Sequence, residues 1–316
     1  MRRLVCLWVM LFLIPVLTGI MLWKGTVKED KGTEKQKNIE ITYLDTAENK
    51  VKKAELEEYL VGVVAAEMPA EYHIEALKAQ AVAARSYILK KTESENPDHK
   101  GADVCDNPQH CKGHIDEKKA RQQWDAKKEE EYIKKIKAAV KETRGEYMVY
   151  NGETVEAFFF ARSGGRTENS GDVWSEDKAY LKSVESEGDL KHPQLYEEKS
   201  FLNKDTRNKL YTLNSEIQRS DKPLNIGEIS RTEGGSVKEI LIDNCIFRGK
   251  DIRTEFGLRS ANFTVSTTAN EVTFKTAGYG HGVGMSQYGA NYMAENGKNY
   301  TEILSHYYSN IQIAGK

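Results

Sequence analysis

Leu4 to Trp23 form an unbroken run of 20 uncharged residues at the head of the chain, and no other stretch limits the architecture so sharply. As a helix rising about 1.5 Å per residue, such a run crosses the roughly 30 Å hydrocarbon core of a bilayer. Arg2 and Arg3 precede it and only Lys24 follows at once, which favours the amino terminus on the cytoplasmic side. The expectation is a cytoplasmic tail at 1–3, a single transmembrane helix at 4–23, and everything after Trp23 outside the cytoplasm. Pro15 is compatible with a span. A cleaved signal peptide is the competing assignment, but no A-x-A-like site follows the run and Gly25-Thr26-Val27 substitutes for one poorly. Residues 24–38 mix Lys, Glu, Gly, Thr and Gln without an apolar period and read as a flexible tether, so the folded body begins near Ile39.

That body is long enough for one large two-lobed domain. With 30% charged and 39% hydrophobic residues the chain is neither a disordered polyelectrolyte nor a multi-span membrane protein. Its 46 basic and 48 acidic side chains leave a formal charge of -2, so no global field points to nucleic acid as a partner. Ile39, Ile41 and Tyr43 alternate as an opening strand. Helical periods follow over Glu55–Met68, Ile74–Lys91 and Glu117–Thr143. Strand-like runs occupy Tyr147–Tyr150, Thr154–Ala161, Ser236–Phe247, Phe263–Ser266 and Val272–Thr276, with Asn151-Gly152 as a hairpin turn. Tyr300–Tyr308 reads as a final short helix, and Asp172–Asn225 resists assignment. The fold class is α+β: a helical lobe at about 50–145 packed on a β-rich lobe at about 146–316.

One position breaks the pattern informatively. Leu56, Tyr59, Leu60, Val63 and Val64 form one helical stripe, and its extension by three or four residues lands on Glu67. A carboxylate there loses part of its hydration, its pKa rises, and it acquires the properties of a general acid. The alternatives are a Glu turned outward at the helix end, or one paired with Arg85. On the next helix Gln80, Arg85 and Tyr87 either hold a polyhydroxylated ligand near Glu67 or satisfy buried backbone groups.

Four cysteines are present. Cys6 lies in the apolar run, without a lipoprotein-type context. The three in the exported body, Cys105, Cys111 and Cys245, argue against a disulfide framework but permit one bridge. His99, Cys105, His110 and Cys111 fall within 13 positions of a polar loop and meet zinc's tetrahedral preference for N and S ligands, with His114 to spare. Against this, His110 and Cys111 are adjacent, and successive side chains usually diverge. A Cys105–Cys111 disulfide is the competing reading.

Ala66-Glu67-Met68-Pro69, the run Glu75–Arg85, Ser163-Gly164-Gly165-Arg166-Thr167 with Val173-Trp174, and the block Gly280–Ala290 around His-Gly-Val-Gly-Met-Ser-Gln together resemble the stage II sporulation protein D family. The match runs from about Ile39 to Asn310, and its last block is highly specific. The resemblance implies a lytic transglycosylase that cuts peptidoglycan glycan strands between N-acetylmuramic acid and N-acetylglucosamine, with Glu67 as its catalytic acid. It also implies action during spore engulfment, from the membrane into the space between mother cell and forespore, beside an amidase that strips stem peptides and a membrane-embedded organiser. In some members zinc occupies the Cys/His loop as a structural ion, which favours metal over the disulfide here.

The other blocks extend the site. Ser163 and Gly164 form either a sugar-contact loop or a tight turn that needs glycine for geometry. Tyr180 and Lys182 are further candidates for the groove. The glycines around His281, Gln287 and Tyr288 lack P-loop or dinucleotide spacing and suggest the opposite wall of a cleft. A Ser163, His281 and Asp172 triad lacks a G-x-S-x-G elbow. No convincing second carboxylate accompanies Glu67, as a hydrolase would need; Glu71 and Glu75 are merely near in sequence. The competing function is a glycan-binding enhancer of an amidase that cuts nothing itself.

Overall fold

Helices and strands alternate through residues 38–315, the part of the chain that the computed structural model describes. The expected tail and span at 1–23, and all but the last residue of the tether, lie outside the described residues. Among the described residues no helix is long and apolar enough to cross a membrane.

The strand expected at Ile39 is β1 (Glu40–Asp45), paired antiparallel with β2 (Lys50–Glu55). From Glu55 the chain passes directly into α1 (Leu56–Glu67). The Glu55 carboxylate caps this helix by accepting the Glu58 N–H at 2.9 Å, one of the amides that a helix start leaves without an internal partner. Pro69 sets the other end. Met68 before it is extended, at φ -127° and ψ 135°, because a following proline disfavours the helical region. Glu67 is therefore the last helical residue, at the negative end of the helix dipole, and no basic side chain stands in that turn.

α2 (Ile74–Thr92) carries Ala76, Ala79, Ala81, Ala83 and Ala84, all fully buried, so its neighbours approach the backbone closely. Leu60, Val63 and Leu77 are also fully buried, each worth roughly 1.5–3 kcal/mol relative to exposure. β3 (Val104–Cys105) joins β1 in parallel, with Leu44 opposite Cys105, and anchors the polar loop to the sheet. The third helix, expected as one piece over Glu117–Thr143, is broken into α3 (Glu117–Gln122) and α4 (Glu129–Glu142). Asp125 causes the break. Its carboxylate accepts the Lys127 N–H at 2.9 Å and its carbonyl accepts those of Lys128 and Glu129, a local turn that competes with helix.

β4 (Tyr147–Tyr150) and β5 (Glu153–Thr154) form the expected hairpin, Asn151 and Gly152 both taking positive φ. The strand expected to continue to Ala161 does not: β6 (Phe159–Phe160) leaves the hairpin and pairs in parallel with Met285–Ser286, far along the chain. After the single turn α5 (Ser170–Val173) comes a second core. It comprises β7 (Tyr196–Leu202), α6 (Asn203–Leu213), β8 (Ile226–Arg231), β9 (Val237–Ile242), β10 (Cys245–Arg248), α7 (Gly249–Phe256), β11 (Phe263–Thr267) and β12 (Glu271–Ala277). These strands form two sheets ordered β10-β9-β8 and β11-β12-β7, around Leu210, Ile240, Ile252, Val272 and Phe274.

The chain then returns through β13 (Met285–Ser286), α8 (Gln287–Glu295), α9 (Tyr300–Tyr307) and β14 (Gln312–Ala314), the last on β4. Met285, Ala290, Leu304 and Tyr307 complete the first core beside Leu60, Val63 and Leu77. The boundary expected near residue 146 is accordingly not where the cores divide. The second core is an insertion within the first, because the β6–β13 pair closes the first core over the chain that leaves and re-enters it.

Candidate active site

The end of α1 opens onto a cleft of about 870 Å³. Glu67 lines it half-buried, its Oε1 accepting the Gly113 N–H at 2.6 Å. Burial raises the pKa of this carboxyl above the ordinary value; the charge of Lys112 and the Gly113 hydrogen bond oppose the rise only in part. Arg85 is not its partner. That guanidinium lies in the core, donating to both Glu57 carboxylate oxygens at 2.9 and 2.6 Å and to the Glu146 carbonyl at 2.9 Å.

Lys112, which the spacing arguments passed over, enters the cleft beside Glu67. Its ammonium stands 3.9 Å from the Phe159 ring centroid and 4.6 Å from that of Tyr87. Burial pushes its pKa down to about 8 against the attraction of Glu67. The only sequence signal for it is its place immediately after Cys111.

The facing wall comes from β6 and the glycine-rich return. His281 sits among Trp174, Phe160 and Phe158, with ring centroids at 5.1, 5.6 and 6.2 Å. Burial, with the charges of Lys112 and Arg253 adding, pushes it down to about 3, so the imidazole is neutral. Its Nδ1 accepts the Val283 N–H at 3.1 Å, which leaves the proton on Nε2. Gly284 makes this wall possible: at φ 80°, a Cβ there would stand 2.1 Å from the Phe158 carbonyl oxygen. Gln287 also lines the cleft and donates to Gln80 Oε1 at 3.3 Å behind it.

Ser163 does not face the cleft. Its hydroxyl and N–H donate to Asp189 Oδ2 at 2.5 and 2.8 Å, while Ser286 donates to Asp189 Oδ1 at 2.7 Å. This buried carboxylate, its pKa raised by burial against those bonds, ties the two glycine-containing segments together. No sequence pattern marks Asp189, since its partners are 26 and 97 positions away. Gly164 serves close approach, as a Cβ there would meet the Asn262 amide at 2.5 Å. The triad is absent: Ser163 binds Asp189, and Asp172 accepts from Asn169.

Among the remaining candidates, Tyr87 lines the cleft and Gln80 lies one layer behind it. Tyr180 instead accepts the Glu156 N–H through its hydroxyl, Lys182 pairs with Asp177, and Tyr288 packs on His192 and Tyr72. The cleft does contain two further carboxylates: Glu176, paired with Lys178 at 2.9 Å, and Glu156, hidden within the expected strand 154–161. Glu156 bridges two ammonium groups, Oε1 on Lys91 and Oε2 on Lys178. Burial alone would raise its pKa, but these lysines outweigh burial and hold it below the ordinary value.

His99, Cys105, His110 and Cys111 converge, their donor atoms within 4.8 Å of one another. Cys111 Sγ is 3.3 Å from His99 Nε2, and Cys105 Sγ is 3.5 Å from His110 Nδ1. Adjacent residues can share this centre because His110 uses Nδ1, the ring nitrogen nearer its backbone, on a turn closed by the Cys111 N–H on the Asn107 carbonyl at 2.8 Å. The thiols are unbridged, and the two-nitrogen, two-sulfur set suits a tetrahedral ion. His114 is not part of it and stacks on Tyr59 at 4.3 Å. Cys245 is buried in the second core.

Residues 45–150 match the sequence model of a family described as SpoIID, stage II sporulation protein. The chain is 38% identical over 295 residues to the stage II sporulation protein D of Bacillus amyloliquefaciens, covering 92% of this chain and 83% of that protein. Identity to the Bacillus subtilis (strain 168) protein of the same name is also 38% over 295 residues, covering 92% and 84%. An amidase enhancer of Bacillus subtilis (strain 168) is 29% identical over 301 residues, covering 79% of this chain and 39% of that protein.

Proposed function

The chain belongs to the stage II sporulation protein D family, and on that premise we propose that it is a lytic transglycosylase. Its substrate would be the glycan strand of peptidoglycan, cut between N-acetylmuramic acid and N-acetylglucosamine to leave a 1,6-anhydromuramyl end. The observation carrying this reading is Glu67: a half-buried carboxyl with a raised pKa, at a helix end, opening into a cleft large enough for sugars.

In the proposed reaction the Glu67 carboxyl gives its proton to the glycosidic oxygen as the C1–O bond breaks. The 6-hydroxyl of the same muramyl residue attacks C1, and the Glu67 carboxylate takes that hydroxyl's proton, restoring the acid with no water consumed. Lys112 favours the carboxylate once its proton has left. A single acid and base suffices, which agrees with Glu156 being held between Lys91 and Lys178, and Glu176 being paired with Lys178, rather than free to activate water.

Zinc is the ion proposed for His99, Cys105, His110 and Cys111. When bound it supplies cross-links within the loop; all four positions of a tetrahedral ion are taken by protein. The loop's own contribution is to present Lys112 and Gly113 to Glu67. Anchored by residues 4–23, the body would work outside the cytoplasm, in the space between mother cell and forespore, alongside a peptide-stripping amidase and a membrane organiser.

The similarity to an amidase enhancer supports a second reading, a glycan binder that stimulates a partner without cutting. Mass spectrometry of peptide-free strands incubated with the purified protein alone decides between them. Anhydromuramyl products from the wild type, absent with Glu67→Gln, are expected; intact strands from both would favour the enhancer.

A further inference from the structure

A second cavity of about 270 Å³ adjoins the cleft of Glu67, sharing Trp174, Ser175 and His281 with it. Its far wall comes from the inserted core and is cationic: Lys238, Arg248, Lys250 and Arg253 outnumber Asp172 and Glu239. Arg248 is held by Asp251 at 2.6 Å. Other guanidiniums of this core are paired too, Arg207 with Asp243 at 2.6 Å and Arg259 with Glu197 at 2.9 Å.

Arg219 stacks on Tyr211 and Arg231 donates to the Gly235 and Phe263 carbonyls, whereas Arg253 has no such partner among the described residues and lines the cavity. It is half-buried on α7, and burial pushes its pKa down, opposed among the described residues by the Tyr279 phenol. Removing a guanidinium from water without an anion costs free energy, so an unmatched one facing a cavity is a built receptor for an anion. Its planar fork suits a carboxylate, which it grips through two parallel hydrogen bonds. Lys238 and Lys250, both exposed, add charge at the rim.

We infer that Arg253, aided by Lys238 and Lys250, binds a carboxylate carried by the glycan strand lying in the cleft of Glu67. This rests on the glycan-strand reading above and adds a specificity-determining residue to it. Two sources bear that group: the lactyl ether of a muramyl residue whose peptide has been removed, and the peptide itself where still attached. A cavity below the roughly 300 Å³ of ordinary small-molecule pockets suits the lactyl group better than a peptide.

The test measures binding rather than cutting, with full-length protein carrying Glu67→Gln so that strands persist. Three strand preparations serve as probes: peptide-free with free carboxylates, the same strands with carboxylates converted to amides, and strands retaining their peptides. Amidation is expected to weaken binding roughly tenfold or more, and Arg253→Gln to bring free and amidated strands to the same weak affinity. If peptide-bearing strands keep the Arg253 dependence, the peptide supplies the carboxylate; if they lose it, the lactyl group does. An Arg253→Gln loss that is equal on free and amidated strands, or no loss, overturns the inference. Should Arg253→Gln not fold, the exposed pair Lys238→Ala with Lys250→Ala must still narrow the difference between free and amidated strands, and an unchanged difference is equally fatal. Because nothing is cut, an inactive wild type would sink the catalytic reading without touching this result.

Discussion

A carboxyl group at the last position of a helix, half-buried where it lines a cleft, is pushed toward its neutral form from two directions. Burial disfavours the anion, and the helix dipole there is negative. Lys112 opposes both, and the balance leaves Glu67 with a raised pKa. An acid must be protonated to act, so turnover should be present below this pKa and fall as pH rises through it. Lys112→Met removes the charge that lowers the Glu67 pKa. The alkaline limb of kcat against pH should then move to higher pH, whatever happens to the maximum rate; a limb that stays or moves to lower pH would show that another group titrates. The same sign governs stability. A carboxyl whose folded pKa is raised stabilises fully below its unfolded pKa, and that contribution is lost as pH climbs through the folded one. Glu67 was legible because a helical stripe makes a misplaced charge conspicuous. Arg85 was not, since a guanidinium on a helix face looks the same from sequence whether it meets a ligand or Glu57. Asp189 and Lys112 owe their places to contacts with distant residues, which no local pattern encodes.

Between residue and molecule, the loop at 95–114 is the element with most influence on the site. β3 fixes it to β1, the Cys/His centre gathers it, and it ends on Lys112 and Gly113 against Glu67. Metal analysis should give one zinc per chain, with Cys111→Ser losing the ion. Turnover should fall roughly tenfold or more, the scale on which partners around a metal site act, even below the melting temperature of the variant. Two thiols lost to a disulfide in metal-free wild-type protein would contradict the assignment. The long helices and the 151–152 hairpin were readable because their periods and turn residues are strong and local. The break at Asp125 follows from side-chain capping inside an otherwise helical pattern. β7 was obscured by its charge, Glu197, Glu198 and Lys199 lying on a strand paired only with β12, as suits a sheet edge.

At the scale of the whole molecule, the cleft exists because the chain leaves its first core, builds a second, and returns. Glu67 and Tyr87 come from before the excursion, Phe158–Phe160 from its start, and His281 and Gln287 from its end. The β6–β13 pair holds departing and returning segments side by side, Phe159 opposite Met285 and Phe160 opposite Ser286, a closure between residues far apart in the chain that periodicity alone does not register. The insertion then contributes a cationic wall beside His281. The account's central claim is that Glu67 directs the sugar's own hydroxyl to the anomeric carbon, with water taking no part. Digestion of peptide-free strands in oxygen-18 water tests this most directly, by the mass of the new muramyl ends. The account predicts anhydro ends, each one water lighter than a hydrolysed end and free of label, and none with Glu67→Gln. Labelled reducing ends, or unchanged product formation by that variant, would contradict it.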